Sequence, residues 1–233
     1  MSADTPQSDG LAVVTSAQRA EAAAVGAASF VLSLRSRGVG DVRLLRAMEL
    51  VPREVFAPRR FTDLARTDVA LPLPCGQTMT APGTVAAMLV ALGVGPEHRV
   101  LEIGTGSGYV TALLAALAAE VVSVERFGTL VQAAREHLRI AGPPAPVRLE
   151  TGDGLAPRPR ERFDRILLNG AVGAVPESLA GLLGPGGRLV GALATEAGPR
   201  LLRVERSGAG ETELAGGPPL RLSPLLRGVA RSL

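Results

Sequence analysis

Residues 100–109 read VLEIGTGSGY. An apolar run of strand length enters Gly104, glycines follow at 106 and 108, and apolar residues then resume at helical spacing. A strand that turns straight into a helix through glycines lets the backbone bend sharply and approach a ligand with no Cβ in the way. The spacing is G-x-G-x-G, not the G-x-G-x-x-G that sets a helix N-terminus against a pyrophosphate. Glu102 lies in the strand just before the loop, where its carboxylate repels a pyrophosphate and welcomes an amino group.

Twenty-one residues beyond Gly104, Glu125 closes a second apolar strand, EVVSVE. An acid there can accept hydrogen bonds from both hydroxyls of a ribose. A nucleoside that also carries an amino acid and a sulfonium, S-adenosylmethionine, satisfies this set better than a dinucleotide. A third strand, VRLETGD, ends at Gly152-Asp153-Gly154, where Asp153 can accept from an adenine amino group and the glycines admit the ring.

Working outward, Val85, Met88, Leu89 and Leu92 fall at i, i+3, i+4 and i+7, as do Val110, Leu113, Leu114 and Leu117, the spacing of amphipathic helices. Another helix is expected from about 128 to 140. FDRILLN and GRLVGAL read as fourth and fifth strands around a short helix in PESLAGLL. RLLRVERS and roughly PPLRLSPLL are further strand candidates with no convincing helix between them. Strands alternating with helices give right-handed crossovers and a largely parallel sheet, here closed by an antiparallel edge hairpin. Toward the N-terminus an Ala-rich helix is expected at about 17–36, then a second helix capped by Asp41. The expected division is a disordered tail over 1–15, a helical extension with a substrate-site segment over 16–80, and a catalytic domain over 81–233.

Hydrophobic residues make up 46% of the 233, with one Tyr and no Trp, so a Leu, Val and Ala core is expected. The pI of about 10.2 suggests nucleic acid, yet the formal charge is only +3 and every basic side chain is a scattered Arg. Without basic runs or stacking aromatics, a nucleic-acid partner is not expected. The single Cys75 excludes an internal disulfide and suits a reducing cytosol. The N-terminus lacks a basic signal region, and the longest apolar run is too short to cross a bilayer. A cytoplasmic protein without a membrane role, a monomer or at most a dimer, is expected.

One stretch remains, LPLPCGQTMTAP at 71–82, a proline-punctuated segment ahead of an apolar helix. Thr80 can cap that helix by accepting the Gly83 N–H, and a helix N-terminus would suit a carboxylate. Taken in order, LLRAMELVPREVFAP, GQTMTAPGTVAAML, VLEIGTGSGY, VVSVER, GDG and VPESL…LGPGGRLV resemble the protein-L-isoaspartate (D-aspartate) O-methyltransferase family, from about Phe30 to Leu193. The resemblance implies a Rossmann-like, doubly wound, seven-stranded α/β sheet with N-terminal helical additions. It implies S-adenosylmethionine as cofactor, held by Glu102, Gly104, Thr105, Gly106, Gly108, Glu125, Arg126, Asp153 and Gly154. It places the family's active-site hydroxyl on Thr80, with Gln77, Thr78 and Asn169 toward the substrate. The implied reaction is methylation of the α-carboxylate of an isoaspartyl residue in a protein or peptide, and the ester then closes to a succinimide.

Ionised carboxylates need no general base, which accords with the lack of a catalytic His; His98 and His137 read as surface residues, and no metal site is evident. Four differences set the chain apart from the family: Thr80 for Ser, Gly83 for His, the run Asn169-Gly170-Ala171 for a Thr-Ala-Ala-like one, and Cys75 for an aromatic. Two alternatives stay open on these departures: a methyltransferase dedicated to the aspartate of one natural-product peptide, and a cofactor-binding relative with altered or lost acceptor specificity.

Overall fold

The computed structural model describes residues 16–156, 158, 161–207, 210–214 and 216–230. The tail expected over 1–15 lies outside the described residues. The chain begins with α1 (Ser16–Ser36), α2 (Val42–Leu50) and the single turn α3 (Arg53–Phe56). Asp41 caps α2 as expected, its Oδ1 accepting the Leu44 N–H at 3.0 Å. A small antiparallel hairpin follows, β1 (Leu71–Pro72) with β2 (Thr78–Met79). The alternating half comprises α4 (Pro82–Leu92), β3 (Arg99–Ile103), α5 (Tyr109–Leu117), β4 (Glu120–Glu125), α6 (Gly128–Ala141) and β5 (Val147–Thr151). It is completed by β6 (Phe163–Val172), α7 (Glu177–Ala180), β7 (Leu183–Leu193), β8 (Arg200–Ser207) and β9 (Gly210–Leu214).

The seven long strands form one sheet in the order β5-β4-β3-β6-β7-β8-β9, parallel as far as β7 and antiparallel from β7 to β9. Alternation sorts the side chains of the central strands onto two faces. Val100, Val121 and Leu167 join the core under α4, α5 and the N-terminal helices, which includes Phe30, Leu34, Met48 and Phe56. Leu101, Val122, Ile166 and Leu168 join the opposite core, closed by Leu155, Leu179 and Leu182. The N-terminal extension thus shares one continuous core with the sheet.

Two local expectations are overturned. The final strand is β9, polar and short, rather than residues 218–226. Pro218, Pro219 and Pro224 have no N–H to give a ladder, and that segment makes only isolated bridges, Ala171 with Pro224 and Arg200 with Pro219. Second, Thr80 does not cap α4. The helix begins at Pro82 after Ala81, and the Gly83 N–H goes to Asp68 Oδ1 at 2.7 Å. Asp68 is also paired with Arg37 at the end of α1. The anion site at this helix start is therefore filled by the protein's own carboxylate.

Candidate active site

The sheet order reverses between β3 and β6, whose carboxyl ends open a crevice, the place where open α/β sheets bind ligands. A cleft partly open to solvent lies there, lined by both polar and apolar groups as small-molecule sites are. Its lining comes from six chain segments: Gln77, Thr78 and Thr80; Ile103, Gly104 and Gly106; Val124, Glu125, Arg126 and Phe127; Gly154 and Leu155; Asn169; and Leu222 to Leu226.

The glycine loop follows β3 with φ of 95° at Gly104, 54° at Gly106 and 88° at Gly108, a region that L side chains avoid. A Cβ at Gly104 would stand 3.3 Å from the Asn169 carbonyl oxygen, so the loop lies close on the end of β6. Glu125 braces the loop from β4: one carboxylate oxygen accepts the Gly106 N–H and the other the Phe127 N–H, both at 3.0 Å. A carboxylate has about four acceptor positions, so roughly two remain for a diol in the cleft.

Glu102, Thr105, Gly108 and Asp153 do not line the cleft. Glu102 is fully buried, and its Oε2 accepts from Thr111 at 2.5 Å and Ser123 at 2.6 Å. Because Ser123 spends its one proton on Glu102, the 2.6 Å contact between Ser123 and Thr105 must be donated by Thr105. The acid thus anchors the loop from beneath through two hydroxyls. Burial pushes its pKa up to about 8, against the pull of those two hydrogen bonds. Thr105 lines a smaller adjoining cavity with Thr78, Thr80, Tyr109 and Asn169. Gly108 precedes α5 and packs on α6, where a Cβ would be 3.1 Å from that of Ala134. Asp153 turns its Oδ1 onto the Leu155 N–H at 2.9 Å, and this turn presents Gly154 and Leu155 to the cleft.

The β1–β2 hairpin supplies another wall, beside the loop, with Leu73 3.7 Å from where a Gly106 Cβ would stand. Thr80 is buried, and its hydroxyl donates to Asn169 Oδ1 at 3.3 Å; Asn169 Nδ2 donates to the Gly104 carbonyl at 3.0 Å. Gln77 bonds within its own turn, Nε2 to the Cys75 carbonyl at 3.1 Å, and Thr78 lies 3.5 Å from the Ser223 hydroxyl. Cys75 takes φ of 60° at the hairpin tip, its sulfur 3.3 Å from the Thr129 hydroxyl at the start of α6.

Residues 222–226 were read as strand and are instead a wall of the cleft. Leu225 packs over Gly104 and Gly170, where a Cβ on Gly170 would fall 2.6 Å from its Cγ. The departure at Gly170 therefore accommodates this segment. The signal in the sequence that could have found it is Pro218, Pro219 and Pro224, which have no N–H for a ladder. Neither histidine is a free surface residue: His98 Nδ1 accepts the Gly95 N–H at 2.7 Å, and His137 stacks edge-on against Phe56 with Nδ1 2.9 Å from the Ser107 carbonyl. Among the described residues no group of three or more His, Cys, Asp or Glu is gathered to hold a metal ion, and no helix is long and apolar enough to cross a membrane.

A sheet in this order, a glycine loop after β3 and an acid closing β4 define a class I methyltransferase, with S-adenosylmethionine as methyl donor. The model for Protein-L-isoaspartate(D-aspartate) O-methyltransferase matches residues 27–226, and the chain belongs to that family. It is 43% identical over 93% of its length to Protein-L-isoaspartate O-methyltransferase of Azorhizobium caulinodans, covering 98% of that protein. It is 45% identical over 88% of its length to Protein-L-isoaspartate O-methyltransferase 2 of Rhodopseudomonas palustris, covering 94% of it. In fold it is similar to a Plasmodium falciparum structure assigned to the same activity and solved with S-adenosyl-L-homocysteine. There the TM-score is 0.75 at 20% identity, covering 85% of this chain and 97% of that one.

Proposed function

We propose that the chain methylates the α-carboxylate of L-isoaspartyl residues in proteins or peptides and so starts their return through a succinimide. The observation that carries the reading is the meeting of Thr80, from the GQTMTAP segment, with Asn169 on the wall of a cleft floored by Gly104 and Gly106. When bound, S-adenosylmethionine supplies a methyl group on a positively charged sulfur. The residues suit that group: Glu125 keeps acceptor capacity for a ribose, and the glycine loop leaves no Cβ in the way. Gly104, Gly106, Glu125, Arg126 and Gly154 would hold it, with Glu102, Thr105, Gly108 and Asp153 supporting them from behind.

The acceptor carboxylate is already ionised at neutral pH, so no residue has to remove a proton. The remaining work is positioning, exclusion of water and hydrogen bonding to the acceptor. Thr80 would donate its hydroxyl to one acceptor oxygen, releasing its long bond to Asn169. Gln77 and Thr78 line the same cleft, and residues 222–226 form a further part of its wall that would shield a bound acceptor from water. The single thiol of Cys75 accords with a cytoplasmic location. The test is mass-resolved methyl transfer to a matched pair of peptides differing only in Asp or isoAsp. Transfer to the isoAsp peptide alone is expected; none above background would refute general isoaspartyl repair, and transfer to Asp alone would point to a dedicated peptide.

A further inference from the structure

The mechanism above makes no use of Arg53, from VPREVF. Its side chain is among the largest fully buried ones in the protein, at 1% exposure. Among the described residues its hydrogen bonds go only to backbone: Nη1 to the Ala65 carbonyl, and Nη2 to the Thr80 carbonyl at 2.9 Å. Nε has no partner. The neighbouring carboxylate, Glu54, is engaged with Arg66. The guanidinium lies 5.4 Å from the Tyr109 ring centroid, and Tyr109 lines the small cavity together with Thr80 and Asn169. Burial brings its pKa down only to about 10, so it is charged at neutral pH.

A buried cation with no carboxylate partner is costly unless something offsets it. Two carbonyls and an aromatic face offset part of the cost here. The charge sits one hydrogen bond behind the residue whose hydroxyl faces the acceptor, and a chain of contacts continues through Thr80 and Asn169 to Gly104. In a low-dielectric wall such a charge favours an anion on the cleft side.

We propose that Arg53 is a positioning and specificity-determining residue: it fixes Thr80 through its carbonyl and biases the acceptor pocket toward a carboxylate anion over a neutral isostere. It touches neither substrate nor cofactor. This inference rests on the carboxyl-methylation reading above.

The test compares wild type, Arg53→Lys and Arg53→Met on an isoaspartyl peptide. The same peptide with a carboxamide in place of the α-carboxylate serves as competitive inhibitor, and S-adenosylhomocysteine affinity is measured by calorimetry. Lysine keeps the charge but cannot reproduce the fork to two carbonyls, so Arg53→Lys is expected to raise the acceptor KM about tenfold, with kcat and S-adenosylhomocysteine affinity within about twofold of wild type. Arg53→Met is expected to shrink the preference for carboxylate over carboxamide about tenfold or more; should it fail to fold, the KM and kcat split in Arg53→Lys decides. An unchanged acceptor KM in Arg53→Lys, a parallel loss of S-adenosylhomocysteine affinity, or an unchanged preference in a folded Arg53→Met overturns the inference. A wild-type chain inactive on the isoaspartyl peptide overturns the functional reading and this inference with it. An active wild type with unaffected variants overturns this inference alone.

Discussion

Thr80 and Asn169 are joined by a hydroxyl-to-amide hydrogen bond of 3.3 Å, and Asn169 passes the connection to the Gly104 carbonyl at 3.0 Å. The first bond is long for an O–H donor, so the Thr80 hydroxyl gives it up readily to a carboxylate. Thr80→Ser should retain methyl transfer. Thr80→Ala should lower kcat/KM on an isoaspartyl peptide by about tenfold to a hundredfold through lost acceptor positioning, with S-adenosylhomocysteine affinity unchanged. Steady-state kinetics beside calorimetry check this, and equal activity of Ala and Ser variants would remove Thr80 from the reaction.

Glu125 serves the loop and the cleft together. Glu125→Ala leaves the Gly106 and Phe127 amides without their acceptor and takes the charged acceptor from a ribose. A loss of S-adenosylhomocysteine affinity on the order of 2–3 kcal/mol is expected. Calorimetry measures it, and wild-type affinity in this variant would show that the ribose sits elsewhere.

Glu102 makes stability depend on pH. Its folded pKa is raised by burial, to about 8 from 4.5, so over that interval the folded state holds a proton that the unfolded state has lost. The resulting stability is complete below about pH 4.5, declines as pH rises, and is gone above about pH 8. Between pH 5 and 8 the wild type should lose on the order of a few kcal/mol that Glu102→Gln keeps. Thermal melts of both across that range test it; parallel Tm curves would mean Glu102 is ionised throughout.

Asp68, not Thr80, caps α4. Asp68→Ala should cost about 1 kcal/mol of stability, whereas Thr80→Ala should leave the helix start intact. Denaturant unfolding of the two variants ranks them, and the reverse order would restore the cap to Thr80.

Gly170 lies under the C-terminal wall, where a Cβ would approach the Ser223 carbonyl oxygen to 2.9 Å and Leu225 Cγ to 2.6 Å. Gly170→Ala should therefore cost about 1–3 kcal/mol by overpacking and expose residues 222–226 to limited proteolysis. A variant as resistant to protease as wild type would show that the wall can shift without opening.

Much of the fold was legible because strand and helix periods are local properties: VLEIGTGSGY, EVVSVE and FDRILLN each announce strands through runs of apolar residues. β9 escaped because GETEL carries no apolar run and is ordered by its ladder to β8. The loop side of the site was equally legible, since a positive φ restricts the residue type at that position. Glu102 was read correctly as a strand acid but not as one turned inward, because which face of β3 looks onto Ser123 and Thr111 depends on how β4 and α5 pack.

By itself the sequence determined the alternation of strands and helices, the glycine loop, the acid closing β4 and the hydroxyl segment before α4, because each is written in spacing within a few residues. Only the tertiary structure decided that Asp68 rather than Thr80 caps α4, that residues 222–226 wall the cleft, and that Arg53 stands behind Thr80. Those relationships join residues 15 to over 100 positions apart, and burial and geometric fit between distant segments set them rather than local propensity.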